Sequence, residues 1–162
     1  MKDLERLVAA CKADLDSLGI PYGNVAKWEI NTRAKHRWGR CVKTANGTYT
    51  ISIAQRLLQD AVREQAAKDT IMHELLHTVN GCFRHTGKWK LLAGQVNRCL
   101  PQYTVKTTTS AEEKGIAQPE PKYIVKCLGC GQQCNRDRMT AFVRHPERYT
   151  CGICGKRFKR IR

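Results

Sequence analysis

The feature that most constrains this chain is a pair of cysteine knuckles, Cys127-x2-Cys130 and Cys151-x2-Cys154, with 20 residues between them. Four thiolates at this spacing suit one tetrahedral zinc ion. Gly129, Gly131, Gly152 and Gly155 allow the tight turns such knuckles need. A segment of about 40 residues has too little core to fold without a staple of this kind. Residues 122–162 are therefore expected to form a small β zinc ribbon. The chain has nine cysteines, an odd number. Its first 19 residues carry Asp3, Glu5, Asp14 and Asp16 where a secretion signal would be apolar. Both observations favour a reducing compartment and metal binding over a disulfide framework. Cys134, the extra cysteine of this segment, reads as a spare thiol.

A second constellation is His73-Glu74-Leu75-Leu76-His77, inside a stretch free of Pro and Gly. Helical residues four apart share a face, so both imidazoles can reach one zinc ion. Glu74, one position on, can reach a water beside the metal and act as its general base. A hydrolytic zinc site usually has three protein ligands and one open position. From Leu75 to Ser110 there is no Asp or Glu, and His85 is the only histidine besides His77. His73, His77 and His85 are therefore the expected ligands. Phe83 stands six residues after His77, where a metzincin would place its third histidine.

Around these motifs the chain reads as α+β. Leu4, Leu7, Val8, Cys11, Leu15 and Leu18 recur at helical spacing over residues 2–18. Gly19 and Pro21 close that helix. Residues 25–30 and 49–53 carry strand patterns, with a turn at Asn46-Gly47. Residues 54–80 predict a short helix and then a long one stopped at Asn80-Gly81, and residues 88–99 predict another. Residues 105–121 are polar with two late prolines and are expected to link a domain over 1–104 to the ribbon.

The net charge is +15. Residues 101–162 hold 13 basic and five acidic residues, so charge is densest in the smaller module. Arg136, Arg138, Arg144, Arg148, Lys156, Arg157, Lys159 and Arg160 are candidate phosphate contacts. Phe142, Tyr149 and Phe158 lie among them and are open to two roles, stacking on bases or filling the ribbon's small core.

Four stretches, in order, resemble the SprT-like family of zinc metalloproteases, whose eukaryotic relatives include Spartan. They are Arg37-Trp38-Gly39-Arg40-Cys41 with the strand after it, the helix motif at 73–77, the segment His85-Thr86-Gly87-Lys88-Trp89, and the cysteine knuckles. The resemblance implies a minimal zincin-like domain followed by a zinc ribbon. It implies two Zn2+, one catalytic and one structural. It also implies DNA as a partner and proteins bound or crosslinked to DNA as substrates. Location would be cytoplasmic in a bacterium or phage and nuclear in a eukaryote. Two other readings stand beside it. One is a non-enzymatic zinc-ribbon regulator that binds nucleic acid; the other is a peptidase indifferent to DNA. An intact Glu74 argues against the first, because a purely structural metal site has no use for a base beside its ligand.

Overall fold

The computed structural model describes residues 1–117 and 120–162, in two compact units, Met1–Gln118 and Pro119–Arg162. In the first unit, helix α1 (Leu4–Ser17) starts at Asp3, whose carboxylate accepts from the Glu5 and Arg6 amides. Its buried stripe is Leu4, Leu7, Val8, Cys11 and Leu15. Gly19, at φ 64°, ends it in a left-handed turn that a residue with a Cβ adopts only with strain.

Strands β1 (Val25–Asn31), β2 (Gly39–Lys43) and β3 (Tyr49–Ala54) form a sheet in the order β1-β3-β2. β1 runs parallel to β3, and β2 antiparallel to it. β3 carries Ile51 and Ile53 into the core. β2 is an edge strand that sequence patterning does not reveal, because its residues are half-buried or exposed and alternate only weakly.

A 3-10 turn at Gln55–Leu58 precedes α2 (Glu64–Leu76). α2 buries Ala67, Ile71, Met72, Leu75 and Leu76 against the sheet and α1. It stops four residues short of Asn80-Gly81. The Thr78 hydroxyl donates to Leu75 O at 2.7 Å, and the Thr78 and Val79 amides turn back to Leu75 and Leu76. Three-residue turns thus replace the last helical turn. His77 becomes the C-cap, still at helical φ −67° and ψ −18°, so the four-residue register of the two histidines survives. α3 (Gly87–Cys99) follows and buries Trp89, Ala93 and Val96.

Residues 103–117, within the expected linker or just before it, pack as part of the first unit. Tyr103 and Val105 join its core. The Asn97 side chain clamps the Val105 backbone in both directions, at 2.8 and 3.0 Å. Ser110 and Glu113 cap each other's amides reciprocally, at 2.7 and 3.2 Å. Lys114 is buried. The two units divide at the far end of the interval 105–121, whose residues 118 and 119 lie outside the described residues. Polar composition suggested a tether, but the polar groups here find partners on α2 and α3.

The second unit is a sheet in the order β5-β4-β6, built from β4 (Tyr123–Cys127), β5 (Gln133–Arg136) and β6 (Phe158–Arg160), all antiparallel to their neighbours. A single-turn helix, α4 (Ala141–Arg144), covers one face. Its core is only Val125, Cys127, Val143, Cys151 and Phe158, with Tyr123, Cys134 and Phe142 packed against them. Among the described residues, no helix is long and apolar enough to cross a membrane.

Candidate metal centres and the cleft beside them

α2 and the loop before α3 bring three imidazoles together. The Nε2 atoms of His73, His77 and His85 lie 2.9 to 3.2 Å from one another. The His73 Nδ1–H donates to Lys106 O at 2.9 Å, and the His77 Nδ1–H donates to Cys82 O at 2.9 Å. A carbonyl only accepts, so both Nδ1 atoms carry the proton and both Nε2 atoms present bare lone pairs. Two lone pairs facing each other at 3.2 Å repel unless a cation lies between them. The donor set therefore fits a metal, and neutral imidazoles suit zinc. Burial, reinforced by the neighbouring His77 and His85, pushes the His73 ring down to about 3, and burial lowers His77 and His85 as well, so the rings stay neutral. Trp89, fully buried, sets its ring 4.8, 5.5 and 4.6 Å from those of His73, His77 and His85 and confines all three.

Glu74 is buried beside this cluster. Burial pushes its carboxyl up to about 8, against the pull of Arg37 and of the Cys41 backbone N–H. A divalent cation held by the adjacent histidines would favour the carboxylate. Its room comes from Gly39, at the start of β2, where a Cβ would stand 2.7 Å from Glu74 Cγ. The Arg-Trp-Gly-Arg-Cys turn marks that position in the sequence, though not its reason. Trp38 Nε1 donates to Thr109 O at 3.1 Å and so ties the β2 entry to the segment after α3. The Cys41 thiol, pushed up to about 12 by burial and by Glu74, is a poor nucleophile.

A cleft of about 240 Å³ runs along His73 and Glu74, walled by Arg37, Trp38, Thr70, Lys106, Thr107 and Lys114 among others. A second hollow, lined by Cys41, Phe83, Arg84 and His85, shares Gly39, His73 and Glu74 with this cleft. His73 and Glu74 thus border both hollows, and His77 and His85 border the second. Lys106, Thr109 and Lys114 carry no sequence motif. Only the Ser110-x-x-Glu113 capping box signals that their segment is ordered.

In the second unit the four knuckle sulfurs lie within 4.8 Å of one another. Cys127 Sγ is 3.4 Å from Cys154 Sγ, and Cys130 Sγ is 3.6 Å from Cys151 Sγ. All nine cysteines are free thiols. Such a group could hold one tetrahedral metal ion. Cys134 stands on β5 opposite Val125, outside the group. All eight candidate phosphate-binding residues, Arg136, Arg138, Arg144, Arg148, Lys156, Arg157, Lys159 and Arg160, are exposed. Phe142 packs edge-on against Phe158 and Tyr149, at 5.2 and 5.1 Å. Phe158 is buried and Phe142 half-buried, so these two rings build the small core, while Tyr149 is exposed.

The model of the SprT-like family matches residues 21–109, from before β1 to the carbonyl that Trp38 grips. The Protein SprT-like of Bacillus subtilis (strain 168) is 29% identical over 136 residues, covering 82% of this chain and 81% of that protein. The protein of the same name from Bacillus velezensis is 27% identical over 154 residues, covering 91% and 90%. No solved structure matches the chain. The matched span covers more than half of the chain and includes all three converging histidines, Glu74 and the glycine that makes room for it; the chain belongs to the SprT-like family.

Proposed function

We propose that the chain is a zinc-dependent endopeptidase that cleaves proteins bound or crosslinked to DNA, with one catalytic and one structural Zn2+. The observation that carries this reading is the convergence of the His73, His77 and His85 Nε2 atoms with the Glu74 carboxyl beside them, where two hollows share His73 and Glu74. His73, His77 and His85 would hold a zinc ion, which would supply Lewis-acid polarisation of a peptide carbonyl and a lowered pKa for a water molecule. Glu74 takes the proton from that water and passes it to the departing amine. Arg37 favours the ionised form of Glu74 that this requires. β2 is an edge strand whose Gly39 and Cys41 line the second hollow, so its outer edge can hold an extended peptide.

Cys127, Cys130, Cys151 and Cys154 hold the structural ion and stabilise the ribbon. Its exposed arginines and lysines bind DNA phosphates, in single or double strands, and so raise the local concentration of DNA-bound protein substrates. The exposed Tyr149 ring is available to stack on an unpaired base. Bacterial relatives support a cytoplasmic, nucleoid-side location.

The test is cleavage of a DNA-crosslinked protein by the zinc-loaded wild type and by Glu74→Gln, with and without DNA. Cleavage by the wild type, stimulated by DNA, should fall by about 10²–10⁴-fold in the variant, the range for losing a general base. Equal cleavage by both proteins would sink the mechanism. Cleavage indifferent to DNA would leave a peptidase without the DNA-bound substrate class.

A further inference from the structure

Lys114 is a cation sealed into the wall of the cleft with no anion against it. Its residue is 4% exposed. Its ammonium donates to Ala66 O and to Thr70 Oγ1, each at 2.9 Å. Both acceptors are neutral. An ammonium has three N–H bonds, so among the described residues one is left without an acceptor. No carboxylate comes within ion-pairing distance of it among the described residues. The two acids nearby are otherwise engaged. Asp69 accepts from the Thr104 amide and the Gln65 side chain, both at 3.0 Å. Glu113 pairs with Lys106 and accepts from the Ser110 amide.

A buried charge without a counter-ion is unfavourable and persists only where something compensates it. Lys114 lines the cleft that holds His73 and Glu74, and also lines an adjoining hollow of about 310 Å³. The same wall carries Lys106 and a run of threonine hydroxyls, Thr107 to Thr109. Lysine with hydroxyl donors around it is a setting for a carboxylate, which accepts several hydrogen bonds at once and is held most strongly by charged donors. Asp69 lines both the cleft and the adjoining hollow, and Glu113 the adjoining hollow, but their carboxylates are already engaged by other donors, whereas the third Lys114 N–H is not.

Resting on the endopeptidase reading, we infer that Lys114 forms the floor of a substrate subsite that takes an acidic side chain, aspartate or glutamate, of the bound polypeptide. Lys114 does not touch the reacting atoms; it selects and positions the chain that Glu74 acts on. Its lost solvation is restored when the carboxylate arrives, so the gain is specific to charge and not to size.

Glutamate and glutamine differ in charge and scarcely in shape, so the test compares them. Peptide mixtures with either residue fixed at each position in turn are given to the zinc-loaded full chain. One position should favour Glu over Gln by about tenfold or more in kcat/KM, the scale of a charge-assisted hydrogen bond. Lys114→Met should erase that preference while still cleaving the Gln peptides. A protein merely weakened in its fold would lose both substrates together. Absence of a Glu preference at every position in the wild type would overturn the inference, and so would its survival in Lys114→Met. Should Lys114→Met not fold, the wild-type scan decides alone. Fluorescence polarisation of the same peptides on the zinc-loaded Glu74→Gln chain separates the two readings. Tighter binding of the Glu peptides there upholds the subsite even where no peptide is cleaved and the peptidase reading has failed. Equal binding of Glu and Gln peptides overturns it.

Discussion

Gly39 and Glu74 occupy one space: a Cβ on Gly39 would lie 2.7 Å from Glu74 Cγ. The edge strand therefore meets α2 closely only because its first residue has no side chain. Gly39 has no left-handed φ, so its requirement is steric.

Gly39→Ala should push the Glu74 side chain aside. Forcing an extra methyl into a packed site destabilises by about 1–3 kcal/mol. The denaturant midpoint should fall and proteolysis should be lost, while the histidine triad keeps its metal. Metal analysis beside an unfolding curve separates these effects; unchanged cleavage would show that the carboxylate does not need its position.

Lys114 makes stability depend on pH in a defined direction. Burial, the largest influence, lowers its folded pKa below 10.5, against the pull of Asp69 and Glu113. Between the folded value and 10.5 the unfolded chain holds a proton that the native chain has released, so stability rises with pH. The stability associated with this group is complete above 10.5 and is lost as pH falls through the folded pKa. Lys114→Met should lack this slope. Urea midpoints for both proteins across pH 7.5 to 10 read it directly, and parallel curves would refute it.

Metal removal should act unequally on the two units. The second unit has five buried core residues, whereas the first has a continuous core from Leu4 to Val105. Zinc binding to a thiolate set contributes on the order of 10 kcal/mol to folding. A strong chelator should therefore collapse the amide resonances of Val125, Val143 and Phe158 while those of Leu7, Ile51 and Val96 stay dispersed. Dispersed ribbon resonances in the metal-free protein would contradict the structural role of the four cysteines.

Charge reversal on the ribbon should weaken DNA binding and flatten its salt dependence. Arg157, Lys159 and Arg160 are all exposed. If each neutralises one phosphate, changing them together to Glu should lower the slope of log K against log salt by about 2–3. An unaltered slope would move the DNA contacts elsewhere on the chain.

Much of the centre was legible in the sequence because its spacing is local. His73 and His77 lie one helical turn apart whatever surrounds them, and two cysteines separated by two residues close on one ion by turn geometry alone. His85 followed from the lack of any acidic residue between Leu75 and Ser110. α1 and α3 were legible from periodicity. The strand β2 and the packing of residues 103–117 were not. Each depends on a partner distant in the chain: Ile53 opposite Gly39, Trp38 against the Thr109 carbonyl, Lys114 against Ala66 and Thr70. The sequence by itself marked the residues that the structure gathers into two groups able to hold a metal. Only the tertiary structure decided that Lys106 and Cys82 carbonyls orient two of the rings, that Gly39 leaves room for the base, and that a buried lysine faces the same cleft. Those contacts arise from which polar groups remain unsatisfied once the core has closed, and no spacing along the chain encodes that.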